Sequence, residues 1–191
     1  MNYRAKDLLL VPGLLSLARV PLALVFALVI GTPWVALAVL LLAGFTDVVD
    51  GWYARKFDQA TPTGAVVDPI TDKLFVGVVV LTLVVRGHLT PIDIVLLSTR
   101  EIGEVPLVLW LALSHARRRA RAEQPLANLP GKTATLLQFV TIGLAMFGSR
   151  YVEGLLVATA IAGAVAAIAY WVREISKVRA AARASTRERV Q

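Results

Sequence analysis

Apolar residues run almost unbroken through six stretches of this chain, each close to the roughly 20 residues that cross a hydrocarbon core. They cover positions 12–30, 33–56, 64–85, 91–115, 129–148 and 152–171. Between them stand residues that end helices: Gly31-Thr32-Pro33, Thr61-Pro62-Thr63-Gly64, Gly87 with Pro91, and Pro125 with Pro130-Gly131. The pattern predicts an all-α polytopic membrane protein, a single domain over 1–191 with six transmembrane helices joined by short loops. Before Pro12, Tyr3 among Arg4 and Lys6 predicts a short N-terminal interfacial helix. Basic residues ahead of an apolar stretch also begin secretory signals. Here no small-residue cleavage site ends the stretch and five further spans follow, so a true first span is expected.

Composition narrows the function classes. Of 191 residues 57% are apolar and 17% charged, against roughly 25% charged in a soluble domain. The absence of Cys excludes disulfides, thiolate metal sites and a cysteine nucleophile, and two His are too few for a His-rich zinc centre. The net charge of +7 sits between and after apolar runs with no interleaved aromatic platform, which points to a membrane face and away from nucleic acid. Arg4, Lys6, Arg55, Lys56, Arg117, Arg118, Arg119, Arg121, Lys132 and the tail cations from Arg173 fall on one side of a six-span topology. Only Arg86 and Arg150 fall on the other. The positive-inside rule then puts both termini in the cytoplasm. The stretch 173–191, alternating Ala with Arg and Lys, is expected to be a basic cytoplasmic tail drawn to anionic headgroups.

The second and third stretches contain Asp47, Asp50, Asp68 and Asp72. An Asp at mid-bilayer costs roughly 2.5 to 3.5 kcal/mol on insertion scales, so four together imply a compensating partner or a function. Spacings of i, i+3 and i, i+4 give each pair one helix face. Counting about 1.5 Å per residue from Phe57 and Gly64 puts both pairs about 6 to 15 Å below the cytoplasmic surface, facing across one cavity. With only Arg55 and Lys73 close in sequence, their mutual repulsion calls for a bound cation. Oxygen ligands without His or Cys favour Mg²⁺, with Mn²⁺ as a substitute, and four carboxylates suit two ions. Two such ions clamp a phosphorus centre during in-line displacement, so the implied substrate carries a pyrophosphate. Gly51, Ala54 and Gly64 leave room for helices and ligand to approach closely. Arg55 is placed to grip a phosphate, and the Thr61 hydroxyl to donate a hydrogen bond.

In order these residues read Asp47-x2-Asp50-Gly51-x2-Ala54-Arg55-x8-Gly64-x3-Asp68-x3-Asp72. The run resembles, at every fixed position, the signature of the CDP-alcohol phosphatidyltransferase family. The resemblance implies that Asp47, Asp50 and Asp68 ligate two divalent ions, with Asp72 touching the second. It implies that Gly51, Arg55 and Thr61, with Asp47, Ala54 and Gly64, hold the CDP part of a CDP-alcohol. Asp72 would act as general base on an acceptor hydroxyl that attacks the β-phosphorus, releasing CMP. A homodimer and a donor such as CDP-diacylglycerol come with the resemblance, and the active site would face the cytoplasm.

An acceptor alcohol needs further polar groups. Arg100, Glu101 and Glu104 in the fourth stretch and Lys132 with Thr135 in the fifth are candidates, Arg100 and Lys132 being suited to a phosphate on the acceptor. An ion pair from Arg100 to Glu104 one turn on, and Lys132 as an interfacial anchor, are the plainer alternatives. The stretches Pro12-Gly13-Leu14-Leu15-Ser16-Leu17-Ala18-Arg19, Arg100-Glu101-Ile102 and Gly131-Lys132-x2-Thr135 look like the glycerol 3-phosphate branch, the phosphatidylglycerophosphate synthases, which would bring Ser16 near the CDP site. Ala134 and Val108 stand where that branch usually has a lysine and an arginine, leaving inositol phosphate or another alcohol open as acceptor. An intramembrane prenyltransferase also uses Asp-rich motifs and Mg²⁺, but does not require Gly51, Ala54-Arg55 and Gly64. A cation-coupled transporter would more often show two related halves, whereas the acids here lie in the first.

Overall fold

The computed structural model describes residues 10–57, 61, 63–113 and 129–188, with the side chains of 55, 65, 66, 108–113, 129 and 178–188 outside the description. Among the described residues every regular element is a helix: α1 (Val11–Val29), α2 (Pro33–Lys56), α3 (Gly64–Val85), α4 (Pro91–Leu97), α5 (Thr99–Leu113), α6 (Leu129–Met146) and α7 (Val152–Glu188). The expected interfacial helix at 1–9 and the loop cations Arg117 to Arg121 lie outside the described residues.

α1, α2 and α3 begin and end close to the breakers that the sequence offers. Prolines open α1 and α2, at first-turn positions whose N–H would have no intrahelical partner. At the end of α3, Gly87 takes a φ of 75°, in the left-handed region, and its N–H donates to the Val84 carbonyl at 3.0 Å. The N–H groups of His88 and Leu89 both turn back to the Leu83 carbonyl, closing the helix as a glycine-terminated end.

Three described segments are long and apolar enough to cross a membrane: Val11–Val29, Pro33–Ala54 and Val152–Lys177. Asp68, Asp72 and Lys73 crowd α3, and Lys132 with Gln138 lowers the hydropathy of α6. The fourth expected span is corrected: 91–113 is two helices, interrupted at Ser98. Thr99 explains the interruption, since its hydroxyl lies 3.0 Å from the Val95 carbonyl and 2.9 Å from that of Leu96, back-bonding that bends a helix. The Leu97 carbonyl receives the Gln138 amide at 3.3 Å. α7 continues as helix through most of the basic tail, to Glu188.

The chain divides into two compact units, Met1–Thr90 with Ala145–Ser149, and Pro91–Leu144 with Arg150–Gln191. In the first, α1 packs against both α2 and α3. Its buried stripe of Pro12, Gly13, Ser16, Arg19, Ala23 and Phe26 recurs every three or four residues, as one helix face must. Leu40 and Ala43 of α2 and Phe75, Val79 and Leu83 of α3 are buried in the same unit, whereas Leu24, Leu28, Leu41, Phe45, Leu81 and Val85 are exposed. Large apolar side chains facing outward are what a lipid surface accepts, and close packing, not water exclusion, then holds the helices together.

In the second unit α7 packs against α4 and α5. A Cβ added to Gly103 would lie 2.7 Å from that of Ala167, and one added to Gly163 would lie 3.0 Å from the backbone nitrogen of Arg100. These small residues set the approach of α5 and α7. Next to them Trp171 donates its indole N–H to the Gly103 carbonyl at 2.7 Å. Between α6 and α7 the hydroxyls of Thr141 and Thr159 meet at 3.0 Å.

Candidate functional site

Asp50 of the first acidic pair and Asp68 of the second meet at one side chain, and α1 supplies the groups between the carboxylates. Ser16 and Arg19, three residues apart, project from one face of α1, both at most 1% exposed. The Ser16 hydroxyl lies 2.6 Å from Asp68 Oδ1 on α3, 3.2 Å from Asp50 Oδ2 on α2 and 2.9 Å from the Pro12 carbonyl. One hydroxyl carries one proton, so it donates to one of these acceptors at a time while keeping the two carboxylates face to face.

Arg19 closes the other side. Its Nη2 donates to Asp50 Oδ2 at 2.5 Å and stands 3.0 Å from Asp47 Oδ1. Asp50 is buried, whereas the Asp47 side chain is 57% exposed. The cluster therefore runs from the surface at Asp47 inward to Asp50 and Asp68. Among the described residues the cation that meets Asp47 and Asp50 is Arg19, where the sequence calls for a bound cation. Lys73 is exposed and the Arg55 side chain lies outside the described residues. Asp72 is half-buried one turn beyond Asp68 on α3.

Arg19 lies within the first apolar stretch, in the run that resembles the glycerol 3-phosphate branch, and the sequence reading gives it no role. The signal was available: the rule that makes an ionisable residue inside a span functional applies to an arginine as much as to an aspartate.

The small residues have visible reasons. A Cβ on Gly64 would stand 3.2 Å from Thr61 Oγ1 and 3.9 Å from Asp68 Oδ2. Thr61 Oγ1 accepts the Gly64 N–H at 3.0 Å, satisfying a donor at the start of α3. Thr61 thus acts first as a cap, with its own hydroxyl proton still able to reach a ligand. Gly51 and Ala54 are half-buried on α2, immediately after Asp50 and one turn beyond it.

In the second unit the acceptor candidates gather in part. Arg100 Nε donates to Glu104 Oε1 at 2.9 Å, the i, i+4 pair expected as the plainer alternative. Its Nη1 donates to Thr135 Oγ1 at 2.9 Å and to the Gly131 carbonyl at 3.3 Å, while the Thr135 hydroxyl reaches the same carbonyl at 3.1 Å. Arg100 and Thr135 are therefore brought together, with the Arg100 side chain 31% exposed. Lys132 is exposed on the first turn of α6.

The donor set around Asp50 is hard oxygen throughout, which suits Mg²⁺ or Mn²⁺ and no soft metal. Among the described residues no three acidic or His side chains form a group spaced to hold an ion. The guanidinium of Arg19 occupies the position between Asp47 and Asp50.

Comparison with known proteins follows the same residues. A model of the CDP-alcohol phosphatidyltransferase family matches residues 9–172, which include all four aspartates, Ser16 and Arg19. A Rickettsia bellii protein named CDP-diacylglycerol–glycerol-3-phosphate 3-phosphatidyltransferase is 34% identical over 110 residues, 58% of this chain and 57% of that protein. A Mycobacterium tuberculosis protein named probable phosphatidylglycerophosphate synthase is 40% identical over 110 residues, 58% of this chain and 49% of its own length. A Haemophilus influenzae protein with the same name as the Rickettsia one is 31% identical over 114 residues, 59% of each. The chain thus spans about half the length of the curated relatives it matches, 49% to 59% in these three. The family match covers most of the chain, together with the full spacing from Asp47 to Asp72: the chain belongs to the CDP-alcohol phosphatidyltransferase family.

Proposed function

We propose that this chain transfers a phosphatidyl group from CDP-diacylglycerol to glycerol 3-phosphate, giving phosphatidylglycerophosphate and CMP. The observation that carries the proposal is the meeting of Asp50 from α2 and Asp68 from α3 at the Ser16 hydroxyl, within a motif whose spacing is that of the family. The names of the relatives support the acceptor.

In this proposal Asp47, Asp50, Asp68 and Asp72 would hold two divalent ions, Mg²⁺ with Mn²⁺ as a substitute, which would supply positive charge to the diphosphate. Gly51, Ala54 and Gly64 keep side-chain bulk away from the nucleotide, and Arg55 and Thr61 bind its phosphates and hydroxyls. Asp72 takes the proton of the acceptor hydroxyl as its oxygen forms a bond to the β-phosphorus. The bond from that phosphorus to the bridging oxygen breaks, and CMP leaves with the electron pair. Arg100, Lys132 and Thr135 bind the phosphate of the acceptor, Arg100 by its fork and Lys132 as a point charge.

The same proposal has six spans, both termini and the active site on the cytoplasmic side, a basic tail on the membrane surface and a homodimer in the bilayer. The test is mass spectrometry of the lipid formed from CDP-diacylglycerol with a panel of glycerol 3-phosphate, inositol phosphate and neutral alcohols. Phosphatidylglycerophosphate as the dominant product supports the acceptor assignment. Dominance of another headgroup would replace the acceptor and keep the chemistry.

A further inference from the structure

Arg19 is bound in a way that packing alone does not explain. A structural arginine–carboxylate pair usually employs the planar fork, two parallel N–H bonds to one carboxylate. Arg19 instead places Nη2 alone on two different carboxylates, Asp50 at 2.5 Å and Asp47 at 3.0 Å. Its Nε and Nη1 are buried and have no hydrogen-bond partner among the described residues, in a side chain 1% exposed. Leaving buried donors unmade is costly, and an apolar residue of similar volume would pack the site without that cost. What an apolar residue could not supply is positive charge. Asp47, Asp50 and Asp68 bring three negative charges to one place, and the guanidinium cancels one of them.

We infer that Arg19 is a positioning residue that sets the affinity of the carboxylate cluster for divalent cations. It holds Asp47 and Asp50 side by side on one nitrogen and competes for the oxygens such an ion takes. The inference rests on the proposed function only in taking the cluster as a cation site. Two opposed effects follow from one contact. Convergence of the carboxylates favours an ion, while the nearby positive charge and the occupied lone pairs disfavour it. At contact distance the charge term exceeds the entropy of holding two short Asp side chains, so removing the charge tightens ion binding. The loss of alignment lowers turnover.

The test is a Mn²⁺ titration of the full chain in detergent, with free Mn²⁺ read by electron paramagnetic resonance and no turnover required. Arg19→Gln is expected to bind Mn²⁺ about tenfold more tightly than the parent, and Arg19→Lys, which keeps the charge, within about threefold of it. In parallel, the Mg²⁺ concentration giving half-maximal CMP release should fall in Arg19→Gln while its kcat also falls. Helical circular dichroism checks the fold, and if the Gln variant does not fold, Arg19→Met carries the same expectation. Unchanged or weaker Mn²⁺ binding in the neutral variant, or equal tightening in the Lys variant, would overturn the inference. Absence of CMP release from the parent would overturn the proposed function and leave the Mn²⁺ result standing.

Discussion

Ser16 Oγ stands 2.6 Å from Asp68 Oδ1, a contact between residues 52 positions apart that ties α1 to α3. The same oxygen is 3.2 Å from Asp50 on α2, so one hydroxyl registers all three helices that build the acidic cluster. A buried carboxylate that loses its donor pays desolvation without recompense.

Replacement of Ser16 should therefore cost stability and also impair chemistry. Ser16→Ala is expected to slow CMP release roughly 10- to 100-fold, the usual range for a residue that orients metal ligands. Ser16→Thr keeps the hydroxyl and should retain most of the rate. Initial rates at saturating Mg²⁺ check this, and an unimpaired Ala variant would remove Ser16 from the site.

The α5–α7 contact makes a prediction about stability. Gly103→Ala forces a methyl within 2.7 Å of the Ala167 Cβ, and the Trp171 bond to the Gly103 carbonyl resists separation of the helices. Overpacking of this kind costs about 1–3 kcal/mol. Thermal unfolding in detergent should show a lowered midpoint for Gly103→Ala and partial recovery in Gly103→Ala with Ala167→Gly, since the two changes share one contact. Additive losses in the double variant would show that the crossing is set elsewhere.

Substitution of Arg100 and Lys132 tests whether the two substrates are bound apart. Under the proposed acceptor, Arg100→Ala and Lys132→Ala should each raise KM for glycerol 3-phosphate roughly tenfold or more, the worth of a charge-assisted hydrogen bond. KM for CDP-diacylglycerol should stay nearly constant. Equal shifts in both KM values would mean that the Arg100 bonds to Glu104 and Thr135 only brace α5 against α6.

The convergence of Asp47, Asp50 and Asp68 was legible because acids in apolar stretches are costly and their spacing fixes a helix face. The helix starts at Pro12 and Pro33 and the end at Gly87 were legible for a similar reason, since these residues restrict the backbone whatever surrounds them. The contacts of Arg19 were not, because they join α1 to α2 and no periodicity reports which neighbour a buried cation meets. The interruption at Ser98 has no Gly or Pro to mark it, and within the polar run Ser98-Thr99-Arg100-Glu101 the sequence does not report that the Thr99 hydroxyl takes the Val95 and Leu96 carbonyls. Thr61 could be placed in the loop before α3, but its capping bond to Gly64 depends on the turn geometry.

In the proposed function Asp72, one turn beyond Asp68 on α3, removes the acceptor proton as CMP is displaced. The most direct measurement of this step is CMP release from CDP-diacylglycerol and glycerol 3-phosphate by the purified chain, with and without Mg²⁺, beside Asp72→Asn. The account predicts release that EDTA abolishes, that Mg²⁺ restores and that Asp72→Asn lowers by about 10²- to 10⁴-fold. Full activity in Asp72→Asn, or no CMP with any acceptor, would contradict it.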